Sequence, residues 1–289
     1  MRSPLNKRLF RELRGEFGKY LVIFILMTLT IGMVSGFLVA DGSMIQAYEE
    51  SFKKYNIENG HFRTEKKMNN AQIQDIEHLG IKLYENYYVE EALTNGSTMR
   101  IFKNRDEVNK VCLMKGKMPE KPGEIGIDRM YADNNDLSVG DEIESGGHTW
   151  KITGLVALSD YSALFSNNND SMFDSVKFGV SVVCPEEFDS YKADQLNYSY
   201  AWKYNTEPKN EKAEKDISED LMEDVAKEVT LEEFVPRYTN QAIIFTGDDM
   251  GGDRSMMIVL LYIIIVIMAF VFAITTNNTI RKEANVIGT

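Results

Sequence analysis

Residues 20–40 read YLVIFILMTLTIGMVSGFLVA, and residues 256–276 read MMIVLLYIIIVIMAFVFAITT. Neither stretch contains a charged residue, and each has about the ~20 residues that a helix needs to cross a ~30 Å hydrocarbon core. A buried helix of a soluble protein would normally interleave polar residues at this length. The two stretches therefore predict a membrane protein with two transmembrane α-helices flanking one large polar segment.

The distribution of charge predicts the orientation of these helices. Six Lys or Arg residues and only two Glu residues precede the first span, and Arg281 and Lys282 follow the second. Because positive flanks face the cytoplasm, both termini are expected there. The intervening segment holds 24 of the 32 basic and 41 of the 44 acidic residues, a formal charge of −17, so it should be extracytoplasmic. Such an acidic segment would repel phosphate backbones, so no nucleic acid partner is expected.

The chain divides into five segments on this interpretation. A cleavable signal peptide in place of the first span is disfavoured by the long basic leader and by the poor cleavage site Val39-Ala40-Asp41. The leader has Leu or Phe every four residues, typical of an amphipathic helix lying on membrane lipid, although a merely positive flank is the alternative. The segments are a cytoplasmic leader helix (1–19), transmembrane helix 1 (20–40), an extracytoplasmic α+β domain with a stalk helix (41–255), transmembrane helix 2 (256–276) and the start of a cytoplasmic coupling segment (277–289).

Short alternating runs predict many strands in the outer domain, with few helices. Helices are expected at 43–55 as a stalk, from a cap at Asn69 or Asn70 through Ile76, and at 210–229, with Ile217, Leu221, Met222 and Val225 on one face. A hairpin turn is expected at Asn95-Gly96, a loop at 166–175 and a flexible acidic hinge at 247–254. Strands are predicted at 82–93, 98–102, 108–114, 124–127, 141–143, 148–158, 177–183 and 242–245.

The sequence offers no catalytic centre. It has no GxxxxGK[ST] loop for nucleotides and no GxSxG elbow, and its three histidines are too far apart in sequence for a metal site. Residues 133–136 resemble a calcium loop only faintly, and a polar turn is the better interpretation. We therefore expect no enzyme activity, no cofactor and no metal. Cys112 and Cys184 could form a disulfide in an oxidising compartment or remain free and buried, and the sequence leaves both open.

Two further patterns have a structural and a functional interpretation. Small residues recur every four positions in the first span, which favours close packing against another helix, although small residues are common in membrane helices. These residues are Thr28, Gly32, Gly36 and Ala40. Aromatic clusters in the outer domain are more typical of strand packing than of a ligand shelf. They comprise Tyr84, Tyr87 and Tyr88, and Tyr198, Tyr200, Trp202 and Tyr204.

Four motifs in a fixed order resemble a known family. They are KGKMP (115–119), GEIGID (123–128), LSVGDEI (137–143) and WKITGLV (150–156). This series resembles the external domain of FtsX-like, MacB-type ABC transporter permeases. The final RKEANVIGT (281–289) resembles the family's R-x-x-E-I-G-x-L-R-A coupling segment, with Glu283 displaced and the leucine-arginine continuation absent.

The resemblance implies a permease subunit in a bacterial plasma membrane that transmits ATP-driven motion to its outer domain. The implied partners are a cytoplasmic ABC ATP-binding subunit and a second permease protomer or permease half; the substrate stays unknown. The residues expected to face the ATPase are Arg281, Lys282, Glu283, Ile287 and Gly288. An ordinary positive flank would explain the first two without any ATPase.

Two alternatives bear on the whole chain. Permeases of this family have four or more spans, so the sequence is expected to be the N-terminal portion of a longer permease. A two-span membrane sensor with an extracellular ligand-binding domain shares the topology entirely. A sensor would lead from the second span into a helical signalling module with heptads, whereas a permease would return to the membrane.

Overall fold

A computed structural model describes residues 14–15 and 17–287, with side chains described for 14–15, 17–278 and 280–281. Most of the predicted leader helix and Gly288 therefore lie outside the described residues. The helices are α1 Phe17–Lys54, α2 Asn70–Glu77, α3 Arg129–Asn134, α4 Pro185–Phe188, α5 Glu211–Glu228 and α6 Gln241–Ile287, with a 3-10 turn at Arg237–Thr239. The strands are β1 Gly60–Thr64, β2 Ile81–Glu85, β3 Tyr88–Ala92, β4 Thr98–Lys103, β5 Val111–Gly116, β6 Glu124–Asp128, β7 Glu142–Ser145, β8 His148–Leu158, β9 Phe178–Val183, β10 Tyr198–Tyr204 and β11 Leu231–Pro236.

The chain forms two compact units, one of which is Tyr48–Gly247 and the other the residues up to 47 and from 248. Two described helices are long and apolar enough to cross a membrane, α1 and the Gln241–Asn278 part of α6. Only 6% and 0% of their most apolar stretches are buried, which a helix in the core of a soluble protein would not show. The predicted fold class, two long apolar helices flanking a mixed α+β domain, is confirmed.

A four-stranded antiparallel sheet forms one half of the outer domain, in the order β11-β1-β10-β2. Aromatic rings from three neighbouring strands stack on one face of it. Phe62 lies 5.6 Å from Tyr200 between ring centroids, and Trp202 lies 4.8 Å from Phe234. Helix α2 packs against β2 and α5 on this half of the domain. Burying such rings is a large apolar contribution to stability, so the tyrosine-rich β10 is a core strand, as its composition predicts.

A seven-stranded mixed sheet forms the other half, in the order β3-β4-β9-β6-β8-β5, with β7 also paired to β8. Strand β8 has the bounds that the sequence predicts and pairs with three neighbours. The hairpin β3-β4 turns at Asn95-Gly96, where Gly96 has a φ of +82° that favours glycine. The predicted hairpin is therefore confirmed.

The four quoted motifs fall within one continuous part of this sheet, from the end of β5 through β8. Two of their glycines, Gly116 and Gly154, stand where backbones meet closely. A Cβ on Gly116 would lie 2.3 Å from the carbonyl oxygen of Thr153, and one on Gly154 would lie 2.5 Å from that of Lys117. Asp128 ends β6 and caps α3 by accepting from the amide of Met130 at 2.8 Å. The four motifs thus lie in the part of the sheet where β5 and β6 pair with β8.

Two sequence predictions about strands are wrong. The single strand at 82–93 is two strands in different sheets, because the chain breaks at Asn86, whose amide donates to the carbonyl of Ser199 at 2.9 Å. The strand at 242–245 and the hinge at 247–254 are both parts of helix α6. A short apolar run is compatible with either a strand or a helix. Here the run is helical, and Phe245 packs against the rings of Phe165 and Phe173. The sequence patterns predicted no strand at the positions of β1 and β11.

The predicted helices of the outer domain are confirmed with one adjustment. Asn210 caps α5 by accepting from the amide of Ala213 at 2.9 Å. Leu221 and Val225 are buried, but Ile217 and Met222 of the predicted apolar face are 43% and 41% exposed. The buried stripe of α5 is therefore narrower than its apolar residues suggest.

Replacing Asn69 by alanine should destabilise α2 by about 1 kcal/mol. Asn69 and Gln72 form a reciprocal capping box, with both hydrogen bonds 3.0 Å long. Amide hydrogen exchange across 70–77 measures the change. The matched control is Asn70→Ala, next along the chain and also exposed, which should leave exchange unchanged or slower. Equal acceleration in both variants would contradict the capping role.

Candidate functional site

The small residues of the first span lie on the exposed surface of α1. Thr28, Gly32, Gly36 and Ala40 are all exposed, and a Cβ on Gly32 or Gly36 would meet no neighbouring heavy atom within 4 Å among the described residues. Their packing against a partner helix therefore stays a prediction.

The predicted ATPase-facing residues lie at the far end of α6. Arg281 is exposed, and the backbone of Lys282, Glu283 and Ile287 is helical. The side chains of these last three and the whole of Gly288 lie outside the described residues. The assignment of these residues to an ATPase contact therefore also stays a prediction.

The outer domain contains a junction that local sequence patterns do not predict. We define the junction as residues 48–54 of α1, the loop 159–168 and residues 241–247 of α6. The hydroxyl of Tyr48 donates to the carbonyl of Ile243 at 2.9 Å. Gly247 lies so close that a Cβ would stand 2.5 Å from Cε1 of the Tyr48 ring. The first and last residues of the domain are thus in direct contact, which local patterning cannot reveal.

The loop 159–168 ties the first turn of α6 to the end of strand β8. The hydroxyl of Ser162 donates to the carbonyls of Ala242 and Ile243, both at 2.9 Å, and Thr246 Oγ1 donates to the carbonyl of Ser162 at 3.1 Å. Asn168 Oδ1 accepts from the Gln241 amide at 2.9 Å. This accepted bond satisfies one of the amides that the start of a helix leaves without an intrahelical partner.

The chain leaving α1 is held by the connection between β4 and β5. The amide of Lys110 donates to the carbonyl of Tyr55 at 2.9 Å, and the Asn56 side chain donates to the carbonyl of Glu107 at 2.8 Å. The Tyr55 hydroxyl donates to Cys112 Sγ at 3.1 Å. Cys112 and Cys184 are both free thiols. Of the two possibilities that the sequence leaves open, a disulfide and two free cysteines, the structure has the second.

A polar cavity of about 200 Å³ lies between the two sheets and adjoins the junction. Three buried or half-buried ion pairs stand in or beside it. Arg105 binds Asp160 through two hydrogen bonds of 2.7 Å, and their side chains are only 7% and 6% exposed. Arg105 also donates to Asn86 at 2.8 Å, so it links the connection between the sheets to the end of β8. Arg100 donates to Glu90 from Nε and Nη2 at 2.9 and 2.6 Å.

The third pair is Glu58 with His61, at the start of β1. Glu58 is 1% exposed; its Oε1 lies 2.6 Å from His61 Nδ1, and its Oε2 accepts from Asn109 at 2.6 Å. Burial opposes charge on both groups, but the mutual attraction outweighs it. It raises the pKa of His61 above its ordinary value and holds the pKa of Glu58 below its own. The charge on His61, and with it the attraction between His61 and Glu58, therefore depends on pH.

The residues that the structure describes contain no group of three His, Cys, Asp or Glu side chains placed to hold a metal ion. The hydrogen-bonding groups at the cavity are suited to binding polar groups. Residues 133–136, faintly similar to a calcium loop, lie at the end of α3 and in the turn after it. Of the aromatic residues singled out in the sequence, Tyr88 lines the cavity, whereas Tyr200 and Trp202 are core residues.

Two solved structures of outer domains are similar to this chain. One is the periplasmic region of MacB from Actinobacillus actinomycetemcomitans, at 10% identity and a TM-score of 0.33, covering 59% of this chain and 86% of that one. The other is the extracellular domain of the noncanonic ABC-type transporter YknZ from Gram-positive bacteria, at 8% identity and a TM-score of 0.31, covering 58% of this chain and 93% of that one. No protein-family profile and no curated protein sequence matches the chain. The scores are too low for an argument about function.

The Glu58–His61 pair should make the stability of the outer domain depend on pH. Because the pKa of His61 is raised, its contribution is complete below the ordinary pKa of about 6.5 and is lost as the pH rises through the folded value. The lowered pKa of Glu58 gives a second loss only as the pH falls through its folded value. The unfolding free energy measured from pH 5 to 9 should fall on the alkaline side, and His61→Gln should flatten that decline.

The control is His78→Gln, an exposed histidine at the end of α2. It should preserve the slope of the unmodified chain. A decline that persists in His61→Gln would contradict the assignment.

Proposed function

We propose that this chain is the membrane-embedded permease part of an ABC transporter, which passes motion driven by ATP to its extracytoplasmic domain. The observation that carries the proposal is the ordered series of four motifs between residues 115 and 156, in a domain flanked by two long apolar helices. ATP hydrolysis is assigned to a separate cytoplasmic subunit, because the chain has no nucleotide-binding loop.

The junction supports this mechanism from within the outer domain. Its two helical segments are bonded to each other through Tyr48 and Ile243, and α6 is bonded to the loop after β8 through Ser162. A displacement of the first turn of α6 would therefore move the loop 159–168 with it. Short, geometrically defined hydrogen bonds and close packing transmit displacement, whereas a flexible linker would absorb it.

The remaining features of the proposal follow from charge and composition. Both termini are assigned to the cytoplasm and the acidic domain to the outside of a bacterial plasma membrane. Neither apolar run contains a charged residue, which argues against an ion pathway through these helices. The exposed small residues of α1 are assigned to packing against a second permease protomer or permease half, with lipid over the rest. The substrate is left open.

The cavity between the sheets favours a second candidate, a two-span sensor with an extracellular ligand-binding domain. Both candidates need the same two spans, so the coding sequence downstream of Thr289 in the native gene distinguishes them. Further apolar spans would support the permease. A continuous heptad pattern would support the sensor.

Replacing Gly247 by alanine should interrupt the junction. The added Cβ would stand 2.5 Å from the Tyr48 ring, so the ring or the first turns of α6 must shift. With the partner ATPase reconstituted, hydrogen exchange in 159–168 should respond to ATP in the unmodified chain and respond weakly in Gly247→Ala. The matched control is Gly251→Ala, one turn further along α6, where a Cβ meets no heavy atom within 4 Å among the described residues. An equal ATP response in all three chains would contradict transmission through the junction.

Replacing Glu283 by lysine should weaken binding of the cytoplasmic ATPase. The reversed charge replaces the acidic residue of the coupling segment. Co-purification of a protein with a GxxxxGK[ST] motif measures the effect, and a loss of about tenfold or more is expected for an interfacial charge reversal. Glu219→Lys, an exposed position on α5, makes the same chemical change and should retain the partner. Undiminished co-purification with Glu283→Lys would overturn the assignment of this segment.

A further inference from the structure

We propose that the cavity between the two sheets binds a neutral, hydroxyl-bearing ligand of the size of a single sugar ring. The inference does not rest on the permease assignment, because it concerns groups within the outer domain alone. It follows from charge compensation, from unused hydrogen-bonding groups and from the aromatic wall of the cavity.

The cationic groups at the cavity are already paired with carboxylates. Arg105 is bound to Asp160, Arg100 to Glu90 and His61 to Glu58, and Arg63 lies 2.7 Å from Glu232. An anionic ligand would lose its hydration without finding a free counter-charge, which is unfavourable in a partly buried site. A neutral ligand avoids this penalty.

Three asparagines at the cavity each use their carbonyl oxygen within the fold and leave their amide nitrogen free. Asn86 and Asn240 are 6% and 4% exposed. Their Oδ1 atoms accept from Arg105 at 2.8 Å and from the amide of Ala242 at 3.1 Å, and Oδ1 of Asn168 accepts from Gln241. No described residue accepts a hydrogen bond from the three Nδ2 groups. The three Nδ2 atoms are open to solvent, so they are donors that a ligand in the cavity can reach.

The cavity also presents acceptors. Glu233 lies at the cavity with Oε2 3.7 Å from Arg63 Nε, too far for a hydrogen bond, and Arg63 Nε is buried without a hydrogen-bond partner among the described residues. Arg100 occupies only Oε1 of Glu90. Amide donors and carboxylate acceptors together suit hydroxyl groups, which both donate and accept. An inorganic anion can only accept, and an ammonium group can only donate.

Aromatic rings form one wall of the cavity. Tyr88 and Tyr161 both pack on Phe102, with ring centroids 5.6 and 6.0 Å away. A sugar ring combines an apolar C–H face with hydroxyl groups, so it matches an aromatic wall opposite convergent polar groups. The volume of about 200 Å³ is below that of drug-sized pockets, which limits the ligand to about one ring.

The test uses the full chain in a detergent without a sugar head group, such as an amine oxide, since maltosides would compete for the site. D-glucose and N-acetyl-D-glucosamine are titrated to tens of millimolar, with L-alanine and inorganic phosphate as charged comparisons. Binding is followed by saturation-transfer NMR and by the shift in thermal midpoint. Saturable binding of at least one sugar, and of neither charged probe, is expected.

The decisive variant is Asn240→Asp, which keeps the oxygen that accepts from Ala242, replaces the free amide donor with a second acceptor oxygen and adds a negative charge. It should weaken sugar binding by about tenfold, as expected for one lost hydrogen bond that leaves a buried group unpaired. Asn86→Asp makes the same change while keeping the acceptor for Arg105, and it replaces Asn240→Asp if that variant unfolds. The matched control is Asn210→Asp, an equally good cap of α5 outside the cavity, which should bind like the unmodified chain.

Three outcomes would overturn the proposal. They are the absence of saturable binding of both sugars, undiminished binding by a folded Asn240→Asp or Asn86→Asp chain, and stronger binding of alanine or phosphate than of either sugar.

Discussion

The contact between Tyr48 and Gly247 is the constraint on which the outer domain depends. The first and last residues of the domain are in contact, because the Tyr48 hydroxyl bonds the carbonyl of Ile243 while its ring leaves room only for a glycine at 247. Around this contact, Ser162 joins the start of α6 to the end of β8. The backbone amides and carbonyls concerned are satisfied, so the joint is well defined geometrically.

The two sheets are joined by polar groups as well as by a shared apolar core. Buried ion pairs such as Arg105–Asp160 contribute little net stability, because desolvation opposes the attraction between the charges, but their fixed directions define how the surrounding elements meet. The same polarity keeps the cavity from closing into apolar packing. A region that is rigid at its ion pairs and open between them can hold a ligand without rearranging the surrounding strands.

Local pattern predicted those elements that have a strong local cause. The cap at Asn69 or Asn70, the turn at Asn95-Gly96 and the strand β8 all depend on residues close together in sequence, and the structure contains all three, with the cap at Asn69. The predicted strands at 82–93 and 242–245 were wrong because their outcome depends on distant partners. Asn86 breaks the first by pairing with Ser199, and Phe245 packs in the second against rings about 80 residues away in the chain.

The sequence by itself determined the two apolar helices, the acidic domain between them and most of its strands, because hydrophobic length, charge and side-chain alternation act locally along the chain. It also supplied the ordered motifs, in which Gly116 and Gly154 mark close backbone contacts between the end of β5 and β8. Only the tertiary structure decided the junction and the cavity. Both are made of residues far apart in sequence, such as His61, Asn86, Asp160 and Asn240, that the pairing of two sheets brings together.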